Sequence, residues 1–254
     1  MKQDINSAKK NVPEKIDFLQ KMMKFFLNRN KLFTSSWIAL SVIVVAISIP
    51  GSSFSEERPA IDDVVQKLQL SYESTKDLSA DFIQETTVKS IKKTQREEGR
   101  VFFKNPQNMS WNYTKPQGKK LVMNHQTAWL YLPQEKVAYR QSAESIFQSR
   151  LLIDFFSGSG KLKDDFIITY DSAISPDKDG HYLLVLTPRQ KNTTFNVLRL
   201  TIDKNNFYIL RLSFDDAFGN STDLRFSRIQ FNTGLPKTFF LFKPPKGVQV
   251  FEMP

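Results

Sequence analysis

Few side chains in this sequence have the types and spacing that catalysis or metal binding requires. The two histidines, His125 and His181, lie in or beside predicted turns, where an imidazole is usually solvated. The adjacent carboxylates Asp164–Asp165 and Asp215–Asp216 would point to opposite faces of a strand and suit solvation better than acid–base chemistry. No nucleophile elbow, P-loop or zinc-protease helix motif occurs. We therefore expect no catalytic residues, no metal and no cofactor.

Composition indicates a β-rich fold that is stabilised by its core alone. The chain has 254 residues and 22 phenylalanines, and large aromatic side chains favour strands. Cysteine is absent, so disulfides and thiolate metal sites are excluded. The net charge of +10 is divided equally between residues 1–55 and residues 56–254. An excess of only five basic residues over residues 56–254 does not indicate a basic face that would bind nucleic acid.

The N-terminal region has the features of an export signal. Trp37 to Ile49 is an uncharged apolar run of 13 residues, which is short for a membrane span and typical of a signal peptide. Basic residues precede it, and small residues precede Glu56, where we expect cleavage. The alternative is an uncleaved anchor over residues 33–49. We expect residues 1–55 to be a polar extension plus signal peptide, and residues 56–254 to form a single domain in the periplasm.

Two amphipathic segments predict helices. Over residues 60–75 the apolar positions recur at helical spacing, with Pro59 acceptable at the start. The second segment, residues 143–156, is apolar around most of its circumference, so it must be buried on several sides. This second helix is either a plain core helix or a lid whose apolar side enters a cavity.

The rest of the chain shows the period of two that is typical of strands. We predict strands at about 79–88, 99–104, 109–113, 119–124, 127–132, 136–141, 166–171, 182–188, 196–203, 207–215, 221–232 and 238–242. The apolar parity shifts within 221–232, which predicts a β-bulge near Ser227. Asn205-Asn206 is a hairpin-like turn signal. Many short strands and few helices predict a mainly β protein, either an antiparallel barrel or a strongly curved sheet.

An ordered series of short motifs resembles a known family. It runs from Phe82-Ile83-Gln84 through Gly99-Arg100-Val101-Phe102-Phe103-Lys104-Asn105-Pro106, Met109-Ser110-Trp111-Asn112-Tyr113 and Pro116 to Leu121-Val122, Thr127-Ala128-Trp129-Leu130-Tyr131 and Pro133. Two later segments, Asp216-Ala217-Phe218-Gly219-Asn220 and Phe242-Lys243-Pro244-Pro245-Lys246-Gly247-Val248, continue it. In order and spacing, the series is similar to the LolA family of outer-membrane lipoprotein carriers, over about residues 60–254.

The resemblance implies both a fold and a role. The fold would be an incomplete, unclosed antiparallel β-barrel that encloses an apolar cavity, with an α-helical lid. The role would be that of a periplasmic chaperone, not an enzyme, that shields the acyl chains of lipoproteins. Its partners would be acylated lipoproteins, an inner-membrane ATP-driven release complex like LolCDE, and an outer-membrane receptor like LolB or a substitute. We expect a monomer that binds no nucleic acid.

Strand parity and the resemblance together nominate the residues that would line the cavity. Met109, Trp111 and Tyr113 share one face, Val101 and Phe103 another, and Trp129 and Tyr131 a third. The complete set of candidates is Phe82, Val101, Phe103, Met109, Trp111, Leu121, Met123, Trp129, Tyr131, Ile146, Phe147, Leu151, Leu152 and Phe155.

One position departs from the family pattern. Family members carry arginine just before the proline that begins the strand ending in tryptophan, and that arginine is thought to latch the lid. Here the latch position is Asn105. Its side-chain amide can hydrogen-bond a backbone carbonyl, but it lacks the positive charge and the several N–H donors of the arginine guanidinium. The resemblance therefore predicts a looser lid in this protein.

The sequence is also compatible with other functions. The same fold could serve a periplasmic sensor or regulator that detects mislocalised lipoproteins, or a carrier of another lipid. A retained anchor over residues 33–49 would favour the sensor, because a shuttle must leave the membrane. A lipid hydrolase is a third alternative, which the absence of a catalytic constellation disfavours.

Overall fold

The structure is a computed structural model, and it describes residues 58–143, 161–171, 176–190, 195–216 and 218–253. The predicted helix over 143–156 lies outside these ranges, apart from its first residue.

The predicted first helix is confirmed as α1 (Ile61–Glu73). Two aspartates in its first turn interact favourably with the positive end of the helix dipole. Its buried residues recur at helical spacing: Val64, Val65, Leu68 and Tyr72. A second, one-turn helix, α2 (Leu162–Asp165), lies beside α1, and the backbone N–H of Leu162 donates to Gln69 Oε1 at 3.2 Å.

Twelve strands form one sheet within the described ranges. They are β1 (Asp77–Val88), β2 (Lys93–Lys104), β3 (Asn108–Lys115), β4 (Lys119–Met123), β5 (Thr127–Leu132), β6 (Val137–Ser142), β7 (Phe166–Tyr170), β8 (Tyr182–Pro188), β9 (Phe195–Ile202), β10 (Ile209–Asp216), β11 (Ser221–Phe231) and β12 (Gln249–Glu252). Their order is β12-β6-β5-β4-β3-β2-β1-β11-β10-β9-β8-β7. β12 pairs parallel to β6, and the other pairs are antiparallel. The predicted mainly β, unclosed architecture is confirmed.

The sheet is strongly curved. Three strand spacings separate β3 from β11, which is about 14 Å in a flat sheet. The rings of Trp111 on β3 and Phe226 on β11 nevertheless lie 6.4 Å apart between centroids. Side chains from one face of the sheet therefore converge, and this face encloses the core.

The two faces of the sheet differ in chemistry. Directly paired residues share a face, so Ala80, Val101, Trp111 and Leu121 lie together on what we call the inner face. The core cluster of this face includes the buried side chains of α1. On the opposite side, which we call the outer face, Glu85 forms exposed ion pairs with Arg96 at 3.2 Å and Arg225 at 3.1 Å. This asymmetry orients the sheet, with apolar groups inside and charges in water.

The predicted irregularity near Ser227 is confirmed. Ser79 pairs with Gln230 and Asp81 pairs with Ser227, so two residues of β11 face one residue of β1. Arg228 takes a positive φ of 49° within this bulge. The bulge lets apolar residues on both sides of it reach the inner face. The Asn205-Asn206 turn joins the antiparallel pair β9 and β10, as predicted.

The predicted strand at 238–242 is wrong. A 3-10 helix spans Lys237–Phe240, and the last strand, β12, comes later in the chain. Prolines at 236, 244 and 245 flank the apolar run, and proline cannot donate to a sheet ladder. The segment therefore crosses the outer face, where Phe240 is buried and the ring of Phe239 lies 5.2 Å from that of Phe102.

Candidate functional site

An aromatic cluster lies at the centre of the inner face. The ring of Phe82 contacts Trp111 at 4.8 Å and Tyr113 at 4.9 Å between centroids, both edge to face. The ring of Phe103 lies 6.1 Å from Trp111 in the same geometry. Such pairs add about 0.5–1.5 kcal/mol each beyond the area they bury. The cluster is an apolar, aromatic surface without obligatory hydrogen-bond directions.

A glycine makes room for this cluster. Gly99 pairs with Phe82 on one side and with Tyr113 on the other. A Cβ atom at position 99 would overlap the carbonyl oxygen of Asn112 and would lie 2.9 Å from Phe82 Cζ. The absence of a side chain here allows the two rings to meet across β2.

The register brings seven of the predicted lining residues together on the inner face. They are Phe82, Val101, Phe103, Met109, Trp111, Leu121 and Met123. The expectation that Val101 and Phe103 occupy a different face from Met109 and Trp111 is wrong. Val101 pairs directly with Trp111, and Phe103 pairs directly with Met109. The alternation of side chains within one strand cannot show whether residues on two different strands share a face. That depends on the register in which the two strands pair.

Trp129 and Tyr131 do not join this group. Trp129 pairs with Val122, whereas the inner-face residue Leu121 pairs with Leu130. The two aromatic side chains therefore lie on the outer face. There the ring of Phe242 covers them, with centroids 5.5 Å from Trp129 and 5.3 Å from Tyr131. Their aromatic character reflects packing under the C-terminal segment and not the lining of the interior.

Five predicted lining residues lie outside the described residues. They are Ile146, Phe147, Leu151, Leu152 and Phe155.

A narrow void lies on the inner face where Tyr72 of α1 meets the sheet. Its volume is about 10 Å³, and its lining is apolar apart from Tyr72. It is lined by Tyr72, Leu78, Ala80, Phe103, Ile209, Phe226 and Ile229. A space of that size holds about one water molecule. The tyrosine accepts a hydrogen bond from the backbone N–H of Ile209 at 3.2 Å, and burial raises the pKa of its hydroxyl.

Sequence reasoning missed most of the residues that line this void. Leu78 and Ala80 have the strand parity of Phe82, so extending that parity toward the N-terminus would have found them. Phe226 and Ile229 lie on either side of the β11 bulge, and the pairing of β11 with β1 places them beside Phe82 and Ala80. That pairing joins segments about 140 residues apart, and no local signal in the sequence specifies it.

At one end the inner face becomes polar. Gln84 on β1 pairs with Glu97 on β2, and Tyr113 on β3 pairs with Lys119 on β4. Lys119 Nζ lies 2.6 Å from Glu97 Oε1 and 4.1 Å from the centroid of the Tyr113 ring. The Tyr113 hydroxyl donates to Gln84 Oε1 at 3.3 Å. Burial, and secondarily the charge of Glu97, raise the pKa of this hydroxyl well above its ordinary range.

The predicted latch residue contacts the link that follows α1. Asn105 Nδ2 donates to the carbonyl oxygen of Thr75 at 2.6 Å. The backbone N–H of Asn105 donates to the carbonyl oxygen of Lys76 at 3.0 Å. The side chain thus does bind a backbone carbonyl. It ties the turn between β2 and β3 to the link between α1 and β1.

A buried carboxylate holds the other side of the same link. Asp77 accepts hydrogen bonds from the backbone N–H groups of Thr233, Gly234 and Leu235 at 2.8–3.1 Å, and from the Thr233 hydroxyl at 3.1 Å. Burial alone would raise the pKa of Asp77. The hydrogen bonds from Thr233 and Leu235, with the Lys104 ammonium 3.7 Å away, hold this pKa below its ordinary value.

One turn gathers three groups of the kind that ligate metals. Asp177, Asp179 and His181 place one potential ligand atom each within 4.8 Å of one another, an arrangement that sequence analysis did not expect. Hydrogen bonds already use these groups in part, because Asp177 Oδ1 accepts from the backbone N–H of Asp179 and of His181, each at 2.9 Å. The Lys204 ammonium also donates to the Asp179 carbonyl at 2.8 Å, which places a fixed positive charge beside the turn.

Fold and site together define a class of protein: a single curved β-sheet that packs an apolar inner face against a covering helix. Residues 73–243 match the family model for "Outer membrane lipoprotein carrier protein LolA". The chain belongs to the LolA family.

Two relatives illustrate the similarity. An outer-membrane lipoprotein carrier protein from Chromobacterium violaceum is 30% identical over 193 residues, which is 76% of this chain and 89% of the relative. One from Neisseria meningitidis serogroup B is 30% identical over 174 residues, or 68% and 79% of the two chains. A solved LolA superfamily protein from Nitrosomonas europaea is 16% identical, covers 73% of this chain and 99% of its own, and has a TM-score of 0.41. Among the described residues, no helix is long and apolar enough to cross a membrane.

Proposed function

We propose that this protein is a periplasmic carrier that takes acylated lipoproteins released from the inner membrane, shields their acyl chains against its inner face, and delivers them to the outer membrane. The observation that carries the proposal is the apolar inner face itself. Its aromatic centre, Phe82, Trp111 and Phe103, continues into the void beneath α1. Membership of the LolA family supports the same role.

Shielding is required by the energetics of acyl chains. Each methylene contributes about 0.8 kcal/mol when it leaves water, so a chain of about sixteen carbons contributes on the order of 10 kcal/mol. Such chains would not cross an aqueous compartment exposed. An apolar aromatic surface accepts them without directional hydrogen bonds, and therefore accepts any lipoprotein through its shared lipid. Carriage breaks no covalent bond, so it requires no catalytic residue.

Binding requires the helix and the sheet to separate. The void of about 10 Å³ is far too small for an acyl chain. Val64, Leu68 and Tyr72 of α1 are buried in the core cluster of the inner face, so a ligand must replace contacts that the protein makes with itself. This competition makes binding weaker than the buried area alone would give. Weak net binding suits a carrier that must release its cargo to a receptor.

The partners follow from family membership and not from the geometry. We expect loading by an inner-membrane ATP-driven complex like LolCDE, and unloading by an outer-membrane receptor like LolB or a substitute. We also expect the apolar segment at 37–49 to act as a cleaved signal, with residues 56–254 forming one exported domain that acts as a monomer. The mass of the exported protein decides between cleavage near Glu56 and a retained anchor.

A release assay tests the proposal. Inner-membrane vesicles that carry an acylated lipoprotein would be incubated with ATP, an active release complex and the exported protein as the cell produces it. We expect a soluble complex that contains the lipoprotein and depends on its acyl chains. If the folded protein released no lipoprotein while an established carrier did so in the same vesicles, the carrier role would be wrong. A sensor of lipoproteins or a carrier of another lipid would then be the better account.

A further inference from the structure

The polar end of the inner face contains a charged pair that is almost completely buried. The side chain of Glu97 is 5% exposed and that of Lys119 is 11% exposed. The pair lies on the same face as the aromatic cluster, because Glu97 precedes Gly99 by two positions on β2 and Lys119 pairs with Tyr113. An acyl chain lying against Phe82 and Trp111 would thus bring its polar end near this pair.

One atom of the pair is unsatisfied. Glu97 Oε1 accepts from Lys119 Nζ at 2.6 Å, whereas Glu97 Oε2 is buried and has no hydrogen-bond partner among the described residues. A buried acceptor without a donor costs about 1–3 kcal/mol, and more when it is charged. A purely structural carboxylate would normally avoid this cost.

The protein itself provides the comparison. Asp77 is as deeply buried as Glu97, but both of its oxygens receive hydrogen bonds, from three backbone N–H groups and one hydroxyl. Asp77 therefore shows how this fold treats a carboxylate that only supports structure. Glu97 Oε2 differs because it is a buried acceptor without a donor among the described residues, on a side chain that belongs to the inner face where apolar surface meets polar surface.

We propose that Glu97, held by Lys119, is a polar subsite that accepts a hydrogen bond from an amide N–H at the head of an acylated ligand. This inference rests on the proposed carrier function and adds a chemical selectivity to it. The donor would be the amide on an N-acylated, lipid-modified terminal residue. A neutral amide suits the site better than an ammonium, because the Lys119 charge already balances that of Glu97 and would repel a second cation. Gln84 on β1 and the Tyr113 hydroxyl, which donates to it from β3, are the neighbouring polar groups at this end of the inner face.

The main comparison uses two probes that differ only at one amide nitrogen, which carries either a hydrogen or a methyl group. Both are synthetic lipopeptides with the same two ester-linked acyl chains. One has an N-acetyl group on its terminal residue, and the other has the same group with the amide nitrogen methylated, which removes the donor. The exported wild-type protein should bind the N-acetyl probe about tenfold more tightly, since a hydrogen bond to a charged group has that strength. A free-amine probe with the same chains should bind no better than the methylated one.

Three variants connect the selectivity to Glu97. The double variant Glu97→Leu with Lys119→Met replaces the pair by apolar groups of similar size, which buried pairs generally tolerate. It should bind both probes equally and retain its fold by circular dichroism. Glu97→Gln, an isosteric change, should reduce the preference for the N-acetyl probe to about threefold or less. If the double variant does not fold, this single variant tests whether the Glu97 carboxylate causes the preference. Glu98→Gln is the matched control, because Glu98 lies on the outer face with Arg96 and Lys115 and should leave the preference intact.

The outcomes separate this inference from the carrier role. Three results would overturn the subsite while leaving a lipid carrier: equal binding of the two probes by the wild type, binding of neither probe by a wild type that still releases lipoprotein, or a preference that survives loss of the Glu97 carboxylate. If the wild type bound neither probe and released no lipoprotein, the carrier function and the subsite would both be wrong.

Discussion

The carboxylate of Asp77 accepts a 2.8 Å hydrogen bond from the backbone N–H of Thr233, across 156 residues of sequence. Neighbouring bonds extend this contact into a junction. The Lys76 N–H donates to Asn232 Oδ1 at 2.7 Å, and Asn105 Nδ2 donates to the Thr75 carbonyl at 2.6 Å. The short link between α1 and β1 is therefore held by both the turn after β2 and the segment after β11. These hydrogen bonds anchor the C-terminal end of α1 to the sheet.

Replacing Asp77 should reduce stability. Asp77→Asn removes the charge that the three N–H groups and Lys104 surround, and we expect a loss of about 2–4 kcal/mol in the free energy of unfolding at neutral pH. Urea unfolding followed by circular dichroism measures this loss. Asp81→Asn is the matched control, because Asp81 lies on the same face of β1 but its side chain is more exposed, and it should change stability by less than about 1 kcal/mol.

The same carboxylate should make stability depend on pH in the acidic range. Because its folded pKa lies below its unfolded value, which is about 3.9, its contribution is complete above that pH and is lost as pH falls through the folded pKa. The urea midpoint of the wild type should therefore fall as pH decreases below about 4. The midpoint of Asp77→Asn should fall less over the same interval, and parallel curves for the two proteins would contradict this role.

Asn105 should set how freely α1 leaves the sheet. Asn105→Arg places a charged guanidinium with several N–H donors near the backbone carbonyls that follow α1. It replaces the single hydrogen bond from the Asn105 side-chain amide to the Thr75 carbonyl. We expect slower amide hydrogen exchange in α1 and slower release of cargo to the receptor. We would abandon the looser-lid hypothesis if both exchange and transfer matched the wild type.

Two tryptophans on opposite faces of the sheet provide a paired test of the binding face. Trp111 packs in the inner cluster, whereas Trp129 packs under Phe242 on the outer face. Trp111→Ala should weaken lipoprotein binding at least several-fold, because it removes apolar surface from the proposed cavity. Trp129→Ala should leave binding unchanged in the folded protein, although each variant should lose stability. Equal loss of binding in the two variants would count against the inner face as the lipid site.

Gly99 should not tolerate a side chain. In Gly99→Ala the added methyl would overlap the Asn112 carbonyl and press on Phe82, and backbone cannot move as readily as a flexible side chain. Overpacking of this kind costs about 1–3 kcal/mol, which thermal unfolding would reveal. Gly118→Ala is the control, since its nearest atoms would lie 3.7 Å or more away, and it should be nearly neutral.

Local patterns in the sequence predicted the elements of this fold well. The apolar spacing from Ile61 to Tyr72 predicted α1, and alternating residues predicted eleven of the twelve described strands. The parity shift near Ser227 predicted the bulge. These features depend on residues a few positions apart. The error at 238–242 has a local cause as well, since the flanking prolines were a signal against a strand. β12 gave little signal, because its four residues are all exposed at the sheet edge.

The composition of the site was decided by tertiary structure. The aromatic residues at 111 and 129 look alike in sequence, and only the register of β3, β4 and β5 places one inside and the other outside. Glu97 and Lys119 are separated by 22 residues and by the whole of β3, so neither predicts the other. Sequence alone determined which residues alternate within each strand. Pairing between strands and curvature of the sheet determined which of those residues meet, because contact requires distant segments to share one face.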